Sequence, residues 1–282
     1  MPLRLAEIRT ENGEHIINIR NEISEEEVTE FYNSLKPASE YKFMKHMLRI
    51  TTLNGDELSS FIMNLSHDNR PLSKTDAEKI VLEGNRLVAN YCSFIGMFVD
   101  HLEKALSSRC KENMTGFRKF TNFLYDNRFE YRFFVLLRHF IMHYSLPYTI
   151  LNEDFTGKRI EFSKNHLLTF SGWKHVKQDI EKMDEKIDIM PYINPMNAAM
   201  SELLSIYLYY MAKDIILAYQ SAGNFIKEYN LKNPAIARYD SEDELKKGNI
   251  ILAPIEVYDL VSVMEDIKRH PQINMNITNI PI

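Results

Sequence analysis

The spacing of apolar positions changes along this chain, and so do the elements it predicts. In the first seventy residues two short alternating runs, Leu3–Ile8 and His15–Ile19, flank Asn12-Gly13, a pair that turns a β-hairpin. Ser24 followed by an acidic first turn predicts a helix to about Leu35. Tyr41–Leu53 reads as a further strand, Asn54-Gly55-Asp56 as its break, and the stretch to Leu65 fits either period. From Ser73 to about Leu106 the period is helical with no proline, which predicts a rod roughly 45–50 Å long. Met114–Leu124 and Arg128–Tyr144 follow on short connectors, so three consecutive antiparallel helices are expected.

After Pro147, Tyr148–Leu151 and Arg159–Phe162 flank Thr156-Gly157-Lys158 as a small hairpin. Helical spacing returns at Lys164–Met183, with a break near Gly172, and at Met196–Tyr229, where Asn194-Pro195 has the form of a cap and first turn. The tail is less regular, with one further helix at Ile255–Arg269. These elements describe a mainly α chain, an antiparallel helical bundle with small β elements at the N-terminus and after the helix at 128–144. The expected divisions are a mixed α/β region at 1–70, a helical domain at 71–230 and a C-terminal extension at 231–282.

Composition narrows the function. The chain is 45% hydrophobic, ample for a packed core, and its net charge of −5 argues against a generally basic nucleic-acid-binding surface, so any RNA contact must be a local patch. Cys92 and Cys110 lie 18 positions apart, about 27 Å along a helix, beyond disulfide reach. That suits a reducing cytoplasm, and a basic and apolar leader is not seen in Met-Pro-Leu-Arg and the acidic residues after it. The most apolar stretch, Leu203–Tyr219, is interrupted by Lys213 and Asp214, so no membrane span is expected. Gly-rich phosphate loops, Cys-x-x-Cys pairs and His-Glu-x-x-His are missing.

The densest chemistry is Arg138-His139-Phe140-Ile141-Met142-His143, which sets an obligate cation and titratable imidazoles on one helix, a combination suited to holding a phosphodiester and moving its protons. On a helical wheel Phe133, Leu137, Phe140, Ile141 and Tyr144 form the core side; Arg132, His139 and His143 fall within about 40° of one another opposite it. Arg138 and His143 diverge by about 140°, so their tips converge only if the arginine swings round or a second subunit supplies the complement. Solvated residues on an amphipathic helix give the same spacing, and His139 with His143 at i and i+4 could share a metal, though no third ligand can be named. Asp100-His101 reads as a hydrogen-bonding fixture of helix packing, Trp173 and Tyr207-Tyr209-Tyr210 as core or interface, and Asp240–Glu244 as a solvated helix start.

The motif and its surroundings resemble bacterial HEPN-domain proteins, all-helical proteins whose RNA-cleaving members carry Arg, a polar residue, three further residues and His. Arg138, His139 and His143 match those places. Asn85-Arg86, Asn90-Tyr91, Asp100-His101, Tyr125-Asp126-Asn127, Tyr131-Arg132-Phe133 and Leu146-Pro147 extend the likeness over roughly residues 75–215. Arg132 with His139 is followed by apolar Phe133, the wrong pattern, and His139 stands where the family more often has Asn or Asp. The resemblance implies a HEPN-like bundle and a metal-independent endoribonuclease without cofactor, its site shared by two copies in a homodimer. It implies that His143 deprotonates the RNA 2′-hydroxyl or protonates the leaving 5′-oxygen, that Arg138 steadies the phosphate, that His139 orients either group or shares protons, and that Arg132 is a weaker RNA contact. It also implies a toxin or antiphage setting with an antitoxin or defence-system partner, or a catalytically inactive dimerisation, sensing or scaffold module.

Overall fold

Two antiparallel hairpins and a run of long helices make up the chain, in the order β1 (Leu3–Glu11), β2 (Glu14–Ile23), α1 (Glu25–Ser66), α2 (Lys74–Ser107), α3 (Lys111–Asn127), α4 (Phe129–His143), β3 (Tyr148–Asp154) and β4 (Gly157–Ser163). There follow α5 (Lys164–Leu168), a 3-10 turn at Ser171–Trp173, α6 (Val176–Glu181), β5 (Lys186–Ile187), α7 (Met190–Glu228), β6 (Pro234–Arg238), α8 (Glu242–Lys246), β7 (Ile251–Pro254) and α9 (Val257–Arg269). The structure, a computed structural model, describes residues 3–11, 13–68, 70–109, 111–154, 157–255 and 257–274. Asn12, Cys110 and Thr156, invoked above for two turns and a cysteine separation, lie outside them. The mainly helical expectation with small β elements holds.

Contacts group the chain into two units, one of residues 1–42 with 208–282 and one of residues 43–207. In the first, the expected hairpin turns at Gly13, whose φ of +86° suits glycine, and β1 then pairs with β6 and β6 with β7 in the order β2-β1-β6-β7. Those last two strands lie in a tail that shows no alternation long enough to announce them. Buried Glu7 on β1 stabilises this sheet's surroundings: Arg20 donates to it at 2.6 Å and the backbone N–H of Lys232 at 2.6 Å. Burial works against its charge, yet these donors, with Arg9 nearby, hold its carboxyl below the usual range. The acidic run at 240–244 is a helix start as read, with Ser241 capping α8.

The strand expected at Tyr41–Leu53 is instead helix, because α1 runs from Glu25 to Ser66 through Pro37 and through Asn54-Gly55-Asp56. Buried Phe31, Leu35, Ala38, Tyr41, Met44 and Met47 recur every three or four residues, a helical period that short alternating windows conceal. Asn54 does not break the helix, since its Nδ2 donates to the carbonyl of Ile50 at 2.8 Å. Gly55 is a close-approach glycine: a Cβ there would lie 2.9 Å from the Tyr91 ring and 3.1 Å from the Asn197 side chain.

In the second unit α2, α3 and α4 pack on one another, and β3 of the sheet β3-β4-β5 lies against α2. The helix expected at 164–183 is divided by the 3-10 turn and by Lys174, whose φ of 50° no α-helix accommodates. The helix expected from Met196 begins at Met190, because the Asp188 carboxylate accepts the Met190 N–H at 2.9 Å and starts it before Asn194-Pro195. Among the described residues no helix is long and apolar enough to cross a membrane.

Candidate functional site

The helix that carries the motif is held by aromatic rings. Tyr131, Phe133, Phe134, Leu136, Leu137 and Phe140 form the buried face of α4. Phe133 and Phe140 each stack on the indole of Trp173 at 5.8 Å, and Phe134 meets Tyr91 of α2 edge to face at 5.2 Å. The indole is fixed in turn by its N–H, which donates to the carbonyl of Leu167 at 2.6 Å. This seating leaves Arg138 half-buried and His139, Met142 and His143 exposed.

Arg138 lies over α2 at Gly96, where an added Cβ would come within 2.7 Å of its Cζ. Its Nε is buried there with no hydrogen-bond partner. The same guanidinium reaches the field of Cys92, a buried thiol whose pKa burial pushes up and Arg138 partly restrains. His139 and His143 are one turn apart on the outer face, ring centroids 6.1 Å apart. Partial burial, then the positive charges of Arg138, His143 and Lys174, lower the pKa of His139, which favours its neutral form at neutral pH. Neutral imidazole is the form that accepts a proton.

Arg132 is engaged elsewhere: its Nε donates to Asp179 on α6 at 3.0 Å, and its guanidinium lies 5.7 Å from the Phe129 ring. Among the described residues no group of three or more His, Cys, Asp or Glu stands together as a metal site.

Arg138 and His139 share the wall of a cavity of about 270 Å³ between α2, α3 and α4; His143 does not reach it. Asp100 and Glu103 of α2, Asn122 and Tyr125 of α3 and Tyr131 of α4 line it as well. Asp100, expected with His101 to order helix packing, is instead exposed at this cavity, while His101 meets Phe43 edge to face at 5.3 Å. Asp100 and Glu103, three apart on a helix, form an i, i+3 pair of carboxylates visible in sequence, whereas their convergence with α4 is a tertiary fact. Trp173 and Tyr207 are fully buried, as their aromatic spacing suggested; Tyr209 is exposed, its ring 6.1 Å from that of His270.

Set against known proteins, this chain matches no family model, no curated protein and no solved structure. The fold and site define a mainly helical protein with small antiparallel sheets and a cationic, histidine-bearing helix beside a polar cavity.

Proposed function

We propose that the chain is a metal-independent endoribonuclease of HEPN type, acting as a homodimer whose site combines Arg138, His139 and His143 from two copies. The observation that carries this reading is the grouping of a half-buried guanidinium and two exposed imidazoles on one helix, beside exposed apolar side chains. Met142 is 56% exposed, Tyr144 52% and Leu146 47%, and a second copy seated on them would bring the two motif helices together. In that arrangement an imidazole takes the proton of the RNA 2′-hydroxyl, whose oxygen attacks the adjacent phosphorus. The bond to the 5′-oxygen breaks, and a second imidazole returns a proton to that oxygen. The products are a 2′,3′-cyclic phosphate and a 5′-hydroxyl, with Arg138 balancing charge on the phosphoryl oxygens. The family resemblance alone suggests a toxin or antiphage setting and a neutralising or defence-system partner.

The test is cleavage of RNA by the purified protein in EDTA, with analysis of product ends and light scattering for the dimer. Activity is expected to survive chelation and to disappear in His143→Ala and Arg138→Ala with folding and dimerisation intact. Phe140→Ala is the contrasting control, losing about 3–5 kcal/mol of stability because its ring is fully buried. A catalytically inactive HEPN-like dimerisation or sensing module is favoured by one observation, the burial of Arg138 Nε against α2. That reading takes over if the parent protein leaves RNA uncut or if both motif variants cut it as well as the parent does.

A further inference from the structure

The cavity beside the motif helix is lined by groups of opposite charge. Arg138 rests at Gly96 of α2, and the carboxylates of Asp100 and Glu103 lie about 6 and 10 Å further along the same helix. Two carboxylates repel a phosphate, so their part of the cavity is not a second phosphate site. Of these, Glu103 pairs weakly with Arg118 at 4.0 Å. A second feature points to the same space independently: Arg138, one of the residues lining it, has its Nε buried without a hydrogen-bond partner, and Tyr131, only 4% exposed, lines it too. Burial, and then the charge of Glu103 nearby, raise the pKa of the Tyr131 phenol and keep it a hydroxyl. A buried guanidinium N–H without a partner is costly unless something else completes it.

We propose that this cavity is a guanine-reading subsite for the nucleotide whose phosphate Arg138 and His139 hold; the assignment rests on the ribonuclease reading only for the identity of that phosphate. A carboxylate offers two acceptors side by side, and guanine is the base whose pairing edge carries two adjacent donors, N1–H and the N2 amino group. Adenine and cytosine set one amino donor beside a ring-nitrogen acceptor, and uracil sets one donor between two carbonyls, so a carboxylate opposes a lone pair in each. The guanine O6 then takes a donor from Tyr131 or from the Asn122 amide. Tyr125, half-buried at the wall, offers an aromatic ring of the kind unstacked RNA bases use. The carboxylates, a liability for RNA binding in general, become the source of base choice.

Calorimetric titration of the full chain with guanosine 3′-monophosphate and with its adenosine, cytidine and uridine counterparts tests the assignment. The guanosine nucleotide is expected to bind at least about tenfold more tightly than the others, the scale of a charge-assisted hydrogen-bonded pair. Asp100→Asn and Glu103→Gln together are expected to remove that preference at an unchanged melting temperature, and Tyr131→Phe to weaken guanosine binding by about fivefold. Four nucleotides binding within about twofold of one another, or none binding, overturns the subsite, as does a preference that survives the double substitution. Selective guanosine binding by a protein that cuts no RNA would instead sink the ribonuclease reading and leave the subsite standing. RNA cleavage with unselective nucleotide binding overturns the subsite alone.

Discussion

The side chain of Asn85 holds the backbone of Tyr148 at both of its polar groups: Oδ1 accepts the N–H at 3.0 Å, and Nδ2 donates to the carbonyl at 2.7 Å. One amide on α2 thereby does what a neighbouring strand does elsewhere, and it fixes the chain where it leaves α4 for β3. Both partners are buried. Asn85→Ala leaves a buried donor and a buried acceptor unpaired, each worth about 1–3 kcal/mol, so a loss of roughly 2–5 kcal/mol is expected in urea unfolding. An effect below about 1 kcal/mol would mean that water replaces the amide without cost.

Gly96 is where the motif arginine meets its support. Gly96→Ala is expected to push Arg138 off α2 and cut RNA cleavage to the level of Arg138→Ala, while the alanine itself favours helix by about 1 kcal/mol and preserves the melting temperature. Cleavage and melting curves measured side by side check this. Full activity in that variant would show that Arg138 need not rest on α2 to function.

The titration of His139 follows from its surroundings. Its midpoint, read from ring-proton NMR shifts, is expected below the ordinary histidine value of about 6.5. Removing a positive neighbour in Arg138→Ala should move it upward. Because the folded state prefers the neutral ring, acidification through this midpoint costs stability, and a midpoint above that of an exposed histidine would contradict the account.

Glu7 provides a second dependence on pH with its own range. Its carboxyl pKa is lowered in the fold, so its contribution is fully present above the unfolded value of about 4.3 and fades as pH falls through the lower folded value. Glu7→Gln should therefore be less stable than the parent at neutral pH, and the gap should close only under acid conditions. Denaturant unfolding at a series of pH values measures it, and a gap independent of pH would show that shape rather than charge matters at this position.

The helices at 74–107, 111–127 and 129–143 were legible because each buries one face over several turns, long enough for the 3.6-residue period to outweigh chance. The second half of α1 was hidden by residues that usually end helices: Gly55 is there for the approach of Tyr91, and Asn54 bonds back within its own helix. β6 and β7 are short; β6 is defined by pairing with β1, which lies more than two hundred residues earlier, and β7 by pairing with β6. In the candidate site, the residue types of Arg138, His139 and His143 stood out by their chemistry. Asp100, Glu103 and Tyr131 did not, since each is ordinary on its own helix and acquires meaning only from the space between helices.

Trp173 is the chain's one tryptophan, and it lies stacked between Phe133 and Phe140 of the motif helix. The protein therefore carries its own optical probe at the seat of that helix. Its emission reports the dryness of a single place, and any ligand, partner or substitution that loosens α4 should announce itself as a red shift without a label being attached.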